Sequence, residues 1–385
     1  MAGRLFFPLL MLLAGCSPVW LSAQQMPAPS DPDATRQTRA LFANLYQLAG
    51  QKILFGHQDD LAYGVYWHRE PGRSDVQETC GAYPAVFGWE LGSRFGPDNR
   101  TNIDSVRFRD LTRHIREAYD MGGVNTLSWH LDNLVSGGNA WDTSAAVRDL
   151  LPGGQHHRRL TDQLDVLAEL LTGLKTAGPF KKPIPVIFRP WHEHTGHWFW
   201  WRAKSCTPEE YKTLYRFTVD YLRKEKKVHN VLFAYSPDAF KDSAHYMLHY
   251  PGDAYVDIFG LDYYYRPENL ERIREDLPKK LSIVAALAAE HGKIPAFTET
   301  GFEAIPHETW WTEMLLSQVR SARIAYLLVW RNARNASKPG HFYAPYPGHI
   351  SARDFVAFSR SEPMLFQDKL PNLYKKPKRV NSGVR

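Results

Sequence analysis

Two glutamates stand where acid–base and nucleophilic chemistry on a sugar would need them. Glu193 lies in the stretch PVIFRPWHEHTGHWFWW (185–201), ending its opening run, an apolar, partly β-branched strand. It sits between His192 and His194 and is followed by Trp198, Phe199, Trp200 and Trp201. Sugar rings pack on aromatic faces, and a carboxyl desolvated among such rings has its pKa raised, as a general acid requires. Glu299, in FTETGF, ends another apolar run. Retaining glycosidases use two carboxyls about 5–5.5 Å apart, one as acid/base and one as nucleophile. Glu193, beside Trp191 and Trp198, suits the protonated role. Glu299 suits the ionised role, with a hydroxyl expected from Tyr263. The plain alternatives are a core strand running into an aromatic loop for the first stretch and a loop carboxylate for Glu299.

These residues need a frame that brings distant strand ends together. Apolar runs fall at 53–58, 84–91, 123–130, 185–193, 231–237, 255–264, 294–300 and 325–332. Amphipathic segments separate most of them, at 104–119, 160–177, 207–227, 281–290 and 310–322, with a further one at 352–358. Thr207-Pro208-Glu209-Glu210 is a capping box with proline at the first helical position. The links at 75–80 and 239–250 are the weakest. Eight buried strands alternating with helices predict an α/β fold, a single-domain (β/α)8 TIM barrel over 35–370. An open doubly wound sheet is the alternative, but no glycine-rich phosphate loop follows the first strand. A barrel places its chemistry at the C-terminal strand ends. Those ends carry His57 and Gln58, Glu90, His130, His192 and Glu193, Asp262 and Tyr263, Glu299, and Arg331 and Asn332. That collective pattern is stronger than any single residue, because scattered core polar groups would not fall this way.

Other chemistries fit less well. A zincin needs His-Glu-x-x-His on a helix; here the residue four after His192 is Gly196, and the segment begins as a strand. Neighbouring strand residues point to opposite sides, so no metal site is expected. A serine hydrolase would need a G-x-S-x-G elbow, which the sequence lacks. Trp330 and His130 each have a plain reading as core residues, and Trp200 and Trp201 are read as packing.

The motifs FRPWHEHTGHWFWW, FTETGF and VWRN, on strands of this order, resemble glycoside hydrolase family 26. ILFGHQDDLAYG and YPAVFGWELG extend the likeness over roughly residues 40–360. The His-Glu pair separates this family from much of its wider clan, where asparagine precedes the acid. His194 and His197 depart from the family's usual HEM-GxWFWW pattern. The resemblance implies a β-1,4-mannan hydrolase acting with retention on mannan, glucomannan or galactomannan, with no cofactor. It implies Glu193 as acid/base and Glu299 as nucleophile. His130, His192, Trp198, Tyr263, Trp330, Arg331 and Glu90 would bind substrate around the cleavage point. Relatives acting on mixed-linkage β-glucan or β-1,3-xylan remain open, as does an exo-acting mannobiohydrolase in which the long loop 131–160 walls off one end of the cleft. A non-catalytic glycan-binding lipoprotein would keep the aromatics but has no need of both glutamates.

The chain has 385 residues, with 44% hydrophobic and 23% charged residues, as a globular protein should. Aromatic residues make up 13% and include 12 tryptophans, which fits stacking on a ligand. The net charge of +6 is spread along the chain; the dense basic run, 375–379, lies in a C-terminal tail (371–385) and is read as solvated, so no nucleic-acid partner is expected. Arg4 followed by the apolar run 5–13 marks 1–23 as an export signal. Leu13-Ala14-Gly15-Cys16 resembles a lipobox, making Cys16 a lipidated membrane anchor; ordinary cleavage near Ala23-Gln24 is the alternative, leaving a periplasmic or secreted monomer. Residues 24–34 read as a tether. Export leaves Cys80 and Cys206, which can form one disulfide or remain two buried thiols.

Overall fold

A computed structural model describes residues 26–96, 99–333 and 340–377. The signal segment 1–23, with Cys16, lies outside the described residues.

Barrel strands form at all eight expected places: β1 Ile53–Gln58, β2 Val86–Glu90, β3 Val124–Ser128, β4 Val186–Arg189, β5 Val231–Tyr235, β6 Ile258–Phe259, β7 in two pieces (Ile294–Pro295 and Phe297–Thr300) and β8 Tyr326–Val329. All pair in parallel with their sequence neighbours, and β8 pairs back onto β1, with Leu54 opposite Tyr326 and His57 opposite Val329. The first piece of β7 pairs with β6 and the second with β8, so the interruption at Ala296 closes the ring.

The period-two pattern divides the strand side chains between two cores. Leu54, Val86, Val124, Ile187, Leu232, Ile258, Ala296 and Leu328 fill the barrel. The alternate residues, among them Phe55, Phe87, Leu127, Phe188, Phe233 and Phe297, meet the surrounding helices. The first helix, Arg36–Leu48, packs Leu41, Phe42 and Leu45 into the interior cluster and closes the end opposite the strand C-termini. Thr35 caps it, its hydroxyl accepting from the Thr38 amide at 3.2 Å.

The helices depart from expectation mainly in length. The helix expected over 281–290 runs from Leu270 to Glu290, straight through Pro278. The capping box at Thr207 opens a helix Pro208–Asp220 that widens into a π turn, Tyr221–Glu225. Trp310–Leu316 is also π-helical.

Both expected tails are shorter than the sequence suggests. The expected tether, 24–34, is docked from Ser30 onward. The Ser30 amide donates to Asp257 at 2.6 Å, the Arg223 guanidinium donates to the Ser30 hydroxyl at 2.6 Å, and Asp31 pairs with His229 at 2.9 Å. At the other end Leu373 is buried, and the Tyr374 hydroxyl donates to the Gly123 carbonyl. Local hydrogen bonding, invisible to composition, makes these segments part of the barrel. Cys80 and Cys206 are separate free thiols. Among the described residues no helix is long and apolar enough to cross a membrane.

Candidate active site

The strand C-termini open into a cleft of about 810 Å³ whose lining includes Glu193, Glu299, His130, Trp198 and Trp330. Glu193 is presented by a strained turn. Trp191 and Glu193 hold φ of 53° and 54°, a region that costs an L-residue about 1–2 kcal/mol. The aromatic run holds it in place. Tyr211 donates to the Trp191 carbonyl at 2.8 Å, Trp201 donates to the His192 carbonyl at 2.7 Å, and the Glu193 amide donates to the Ser236 carbonyl at 2.7 Å. Trp200 and Trp201 are fully buried, so packing is their role, as expected. Trp198 is different: it lines the cleft, and its indole N–H donates to Glu193 Oε2 at 2.7 Å. Burial, and then the charge of Glu299, push the Glu193 carboxyl well above its ordinary pKa.

Glu299 accepts from the Arg189 guanidinium through Oε2 and from the Tyr264 hydroxyl at 2.6 Å through Oε1. The hydroxyl expected from Tyr263 therefore comes from its neighbour. On β6 and its extension Asp262 faces inward, so Tyr263 faces out, over Lys280 and 3.3 Å from Asp276, and Tyr264 returns to the cleft. Arg189 was not singled out from the sequence. It shares the inward parity of Ile187 on β4, and its guanidinium also pairs with Asp262. Asp262 in turn accepts from Ser236 and Thr298, each at 2.7 Å. A Cβ on Gly260 would lie 2.4 Å from that threonine hydroxyl, so the bare backbone is required there.

The other expected substrate residues divide into two groups. His130 and Trp330 reach the cleft, with ring centroids 6.1 Å apart, and Trp141 from the long loop stacks on His130 at 5.2 Å and 12°. Glu90, His192 and Arg331 stand behind the surface. Glu90 is fully buried; it accepts from His130 Nδ1 and the His130 amide, both at 2.8 Å, and from Ser128 at 2.6 Å. It positions His130 rather than lining the cleft. Burial opposes charge on both partners, yet the pairing wins: Glu90 falls to about 2 and His130 rises above its usual value. His192 is buried against His130 and Phe199, and burial, then Arg189, keeps it neutral. Arg331 turns to Asp104 at 3.2 Å. His194 packs on Tyr211 and His249, away from His192, so the histidine-rich stretch does not converge on one point.

Glu90→Gln removes the charge that holds the His130 proton. The His130 titration midpoint, read from ring-proton NMR, should fall below that of the parent protein; an unchanged midpoint would show that the pair does not govern His130.

The family-model match spans residues 30–318 and carries the description "Glycosyl hydrolase family 26". The chain belongs to glycosyl hydrolase family 26. This family 26 chain is 34% identical over 366 residues to a mannan endo-1,4-beta-mannosidase of Bifidobacterium adolescentis, a match covering 88% of this chain and 35% of that protein. It spans about a third of that relative's length. A second mannan endo-1,4-beta-mannosidase, from Bacillus subtilis, is 28% identical, with coverage of 76% and 81%. Among solved structures, a family 26 β-mannanase of Bacteroides ovatus superposes with a TM-score of 0.85 at 44% identity, covering 89% of this chain and 98% of that one.

Proposed function

We propose that this chain is a retaining, endo-acting β-1,4-mannan hydrolase. The observation that carries the reading is the pair of unlike carboxyls in one cleft. Burial, and then the charge of Glu299, push the Glu193 carboxyl well above its ordinary pKa, and Glu299 is cradled by a guanidinium and a phenolic hydroxyl. The names of the relatives support mannan as substrate.

In the first step a Glu299 oxygen bonds to the anomeric carbon as the glycosidic C–O bond breaks, and Glu193 passes its proton to the leaving oxygen. In the second, Glu193 takes a proton from water, the water oxygen bonds to the anomeric carbon, and Glu299 leaves. Two inversions give net retention. His130, Trp141, Trp198 and Trp330 bound the sugar sites; Arg189, Tyr264 and Glu90 keep the reacting groups in place. No cofactor takes part. The same reading has the chain exported as a monomer through its signal segment, either anchored by lipid at Cys16 or released by cleavage near Ala23.

Incubation with linear mannan, galactomannan, mixed-linkage β-glucan and β-1,3-xylan tests this. A ladder of manno-oligosaccharides with a rapid fall in viscosity is expected. Mannobiose alone from the first minutes would instead show exo action. Binding without hydrolysis of any of the four would show a non-catalytic glycan receptor.

Glu193 must be protonated in the first step, so its deprotonation sets the alkaline limb of kcat/KM. Trp198→Phe removes a donor that favours the ionised form. The sign follows: the Glu193 pKa rises, and the alkaline limb moves to higher pH by on the order of one unit. A limb that stays put or moves down would show that the indole N–H does not bear on this proton.

A further inference from the structure

The hairpin that follows β1 holds an aromatic ring out in solvent on a rigid mount. Its strands, Tyr63–Gly64 and Trp67–His68, are joined through Val65 and Tyr66. Tyr66 is 84% exposed and has φ of 67°. That backbone is unfavourable for a large side chain and persists only where the surroundings impose it. They do so through Asp75, which is buried and accepts from the Val65 amide at 2.8 Å and the Trp67 indole at 2.7 Å. Asp75 also accepts at 2.8 Å from Asn332, two residues beyond Trp330 of the cleft. Asn332 in turn accepts from the amides of Tyr343 and Ala344, both at 2.9 Å. One buried hub thus fixes the exposed tyrosine to the cleft wall.

The ring is not alone. Tyr66 meets Tyr346 edge-on at 6.0 Å, and Tyr346 meets Phe342 at 5.4 Å. Phe342 lies between His341 and Tyr343, which both line the cleft. A row of rings, Phe342, Tyr346 and Tyr66, therefore runs from the segment that edges the cleft up to the hairpin tip. A ring 84% exposed on a pinned turn buries little against its own protein, and exposed apolar surface beside a binding cleft marks a contact surface.

We infer that Tyr66 and Tyr346 form a distal glycan-binding platform that stacks sugar rings of the same β-linked chain whose reacting unit lies between Glu193 and Glu299. The inference rests on the proposed glycan-hydrolase function. The occupant is the continuation of the substrate, because the row starts from the segment that edges the cleft and offers rings with phenolic hydroxyls rather than charge.

The test uses Tyr66→Asn, since asparagine tolerates this backbone region while removing the ring. The measured quantity is the ratio of kcat/KM for mannohexaose to that for mannotriose. It is expected to fall about tenfold, the equivalent of one lost stacking contact, and Tyr346→Ala should lower it in the same sense. Retardation of Glu193→Gln on a mannan-containing native gel should weaken when Tyr66→Asn is added. An unchanged ratio in an active Tyr66→Asn enzyme would overturn the platform and leave the hydrolase standing. A parent protein that cleaves no mannan, yet is retarded by mannan only while Tyr66 is present, would uphold the platform and overturn the hydrolase.

Discussion

Glu299→Ala should lower kcat on mannan by about 10⁴-fold or more, the scale seen when a covalent nucleophile is removed, and azide should restore turnover as an α-glycosyl azide. The stereochemistry follows from which carboxylate is missing. With Glu299 gone, azide enters its space and attacks the anomeric carbon from that face, and a single inversion of a β-linkage gives the α product. With Glu193 gone, the glycosyl–Glu299 ester still forms from substrates with good leaving groups. Azide then enters from the Glu193 side, and two inversions give the β-azide. NMR of the two azides separates the roles of two glutamates that simple activity loss would not distinguish. The opposite pairing of variant and anomer would reverse the assignment, and α-azide from both would remove the double displacement altogether.

Arg189→Met should be the most damaging change that touches no substrate. The guanidinium is 3% exposed and pairs with the Asp262 and Glu299 carboxyls together. Methionine fills much of the volume but leaves two buried carboxylates facing each other. Removing one partner of a buried ion pair costs about 3–5 kcal/mol, so a drop of that order is expected in urea-unfolding stability at neutral pH. Burial already raises the Asp262 carboxyl to about 8 against the pull of Arg189, and losing that pull should raise it further. A carboxyl whose pKa is raised above the unfolded range binds a proton in the folded state that the unfolded state lacks, so folded stability falls as pH rises. The stability deficit of the variant should therefore shrink at acidic pH. A deficit independent of pH would mean that lost packing, not lost charge, is what the substitution removes. Arg189→Lys keeps the charge but cannot reach both carboxylates in the same fork, and should fall between the two.

The barrel was legible because strand period and helix period alternate regularly along the chain, and because polar residues gather at one end of each apolar run. Glu193 and Glu299 followed from that gathering. Two residues that sequence reading passed over, Arg189 and Tyr264, share one cause, strand parity. Arg189 reads as a charged residue ending an apolar strand, but counting from Ile187 places it on the inner face. Counting from Asp262 likewise selects Tyr264 over Tyr263. The role of Glu90 was beyond such counting. Its carboxylate meets His130 across a distance of 40 residues in sequence, and only the register of β2 against β3 brings them together. The docked ends, Ser30 and Tyr374, depend on a few hydrogen bonds to residues far away in the chain, which composition does not encode.

The docking of Ser30 and Asp31 also gives the molecule a handle. These residues grip Asp257, Arg223 and His229 at the N-terminal ends of β5 and β6, the pole opposite the cleft. Any attachment made upstream, a lipid on Cys16 included, therefore pulls on the sealed pole. A chain of the length between Cys16 and Ser30 could reach at most about 50 Å, so under the proposed lipid attachment at Cys16 the cleft would point away from the surface. In that arrangement a long polysaccharide would meet the open pole first, without the body of the protein in its way.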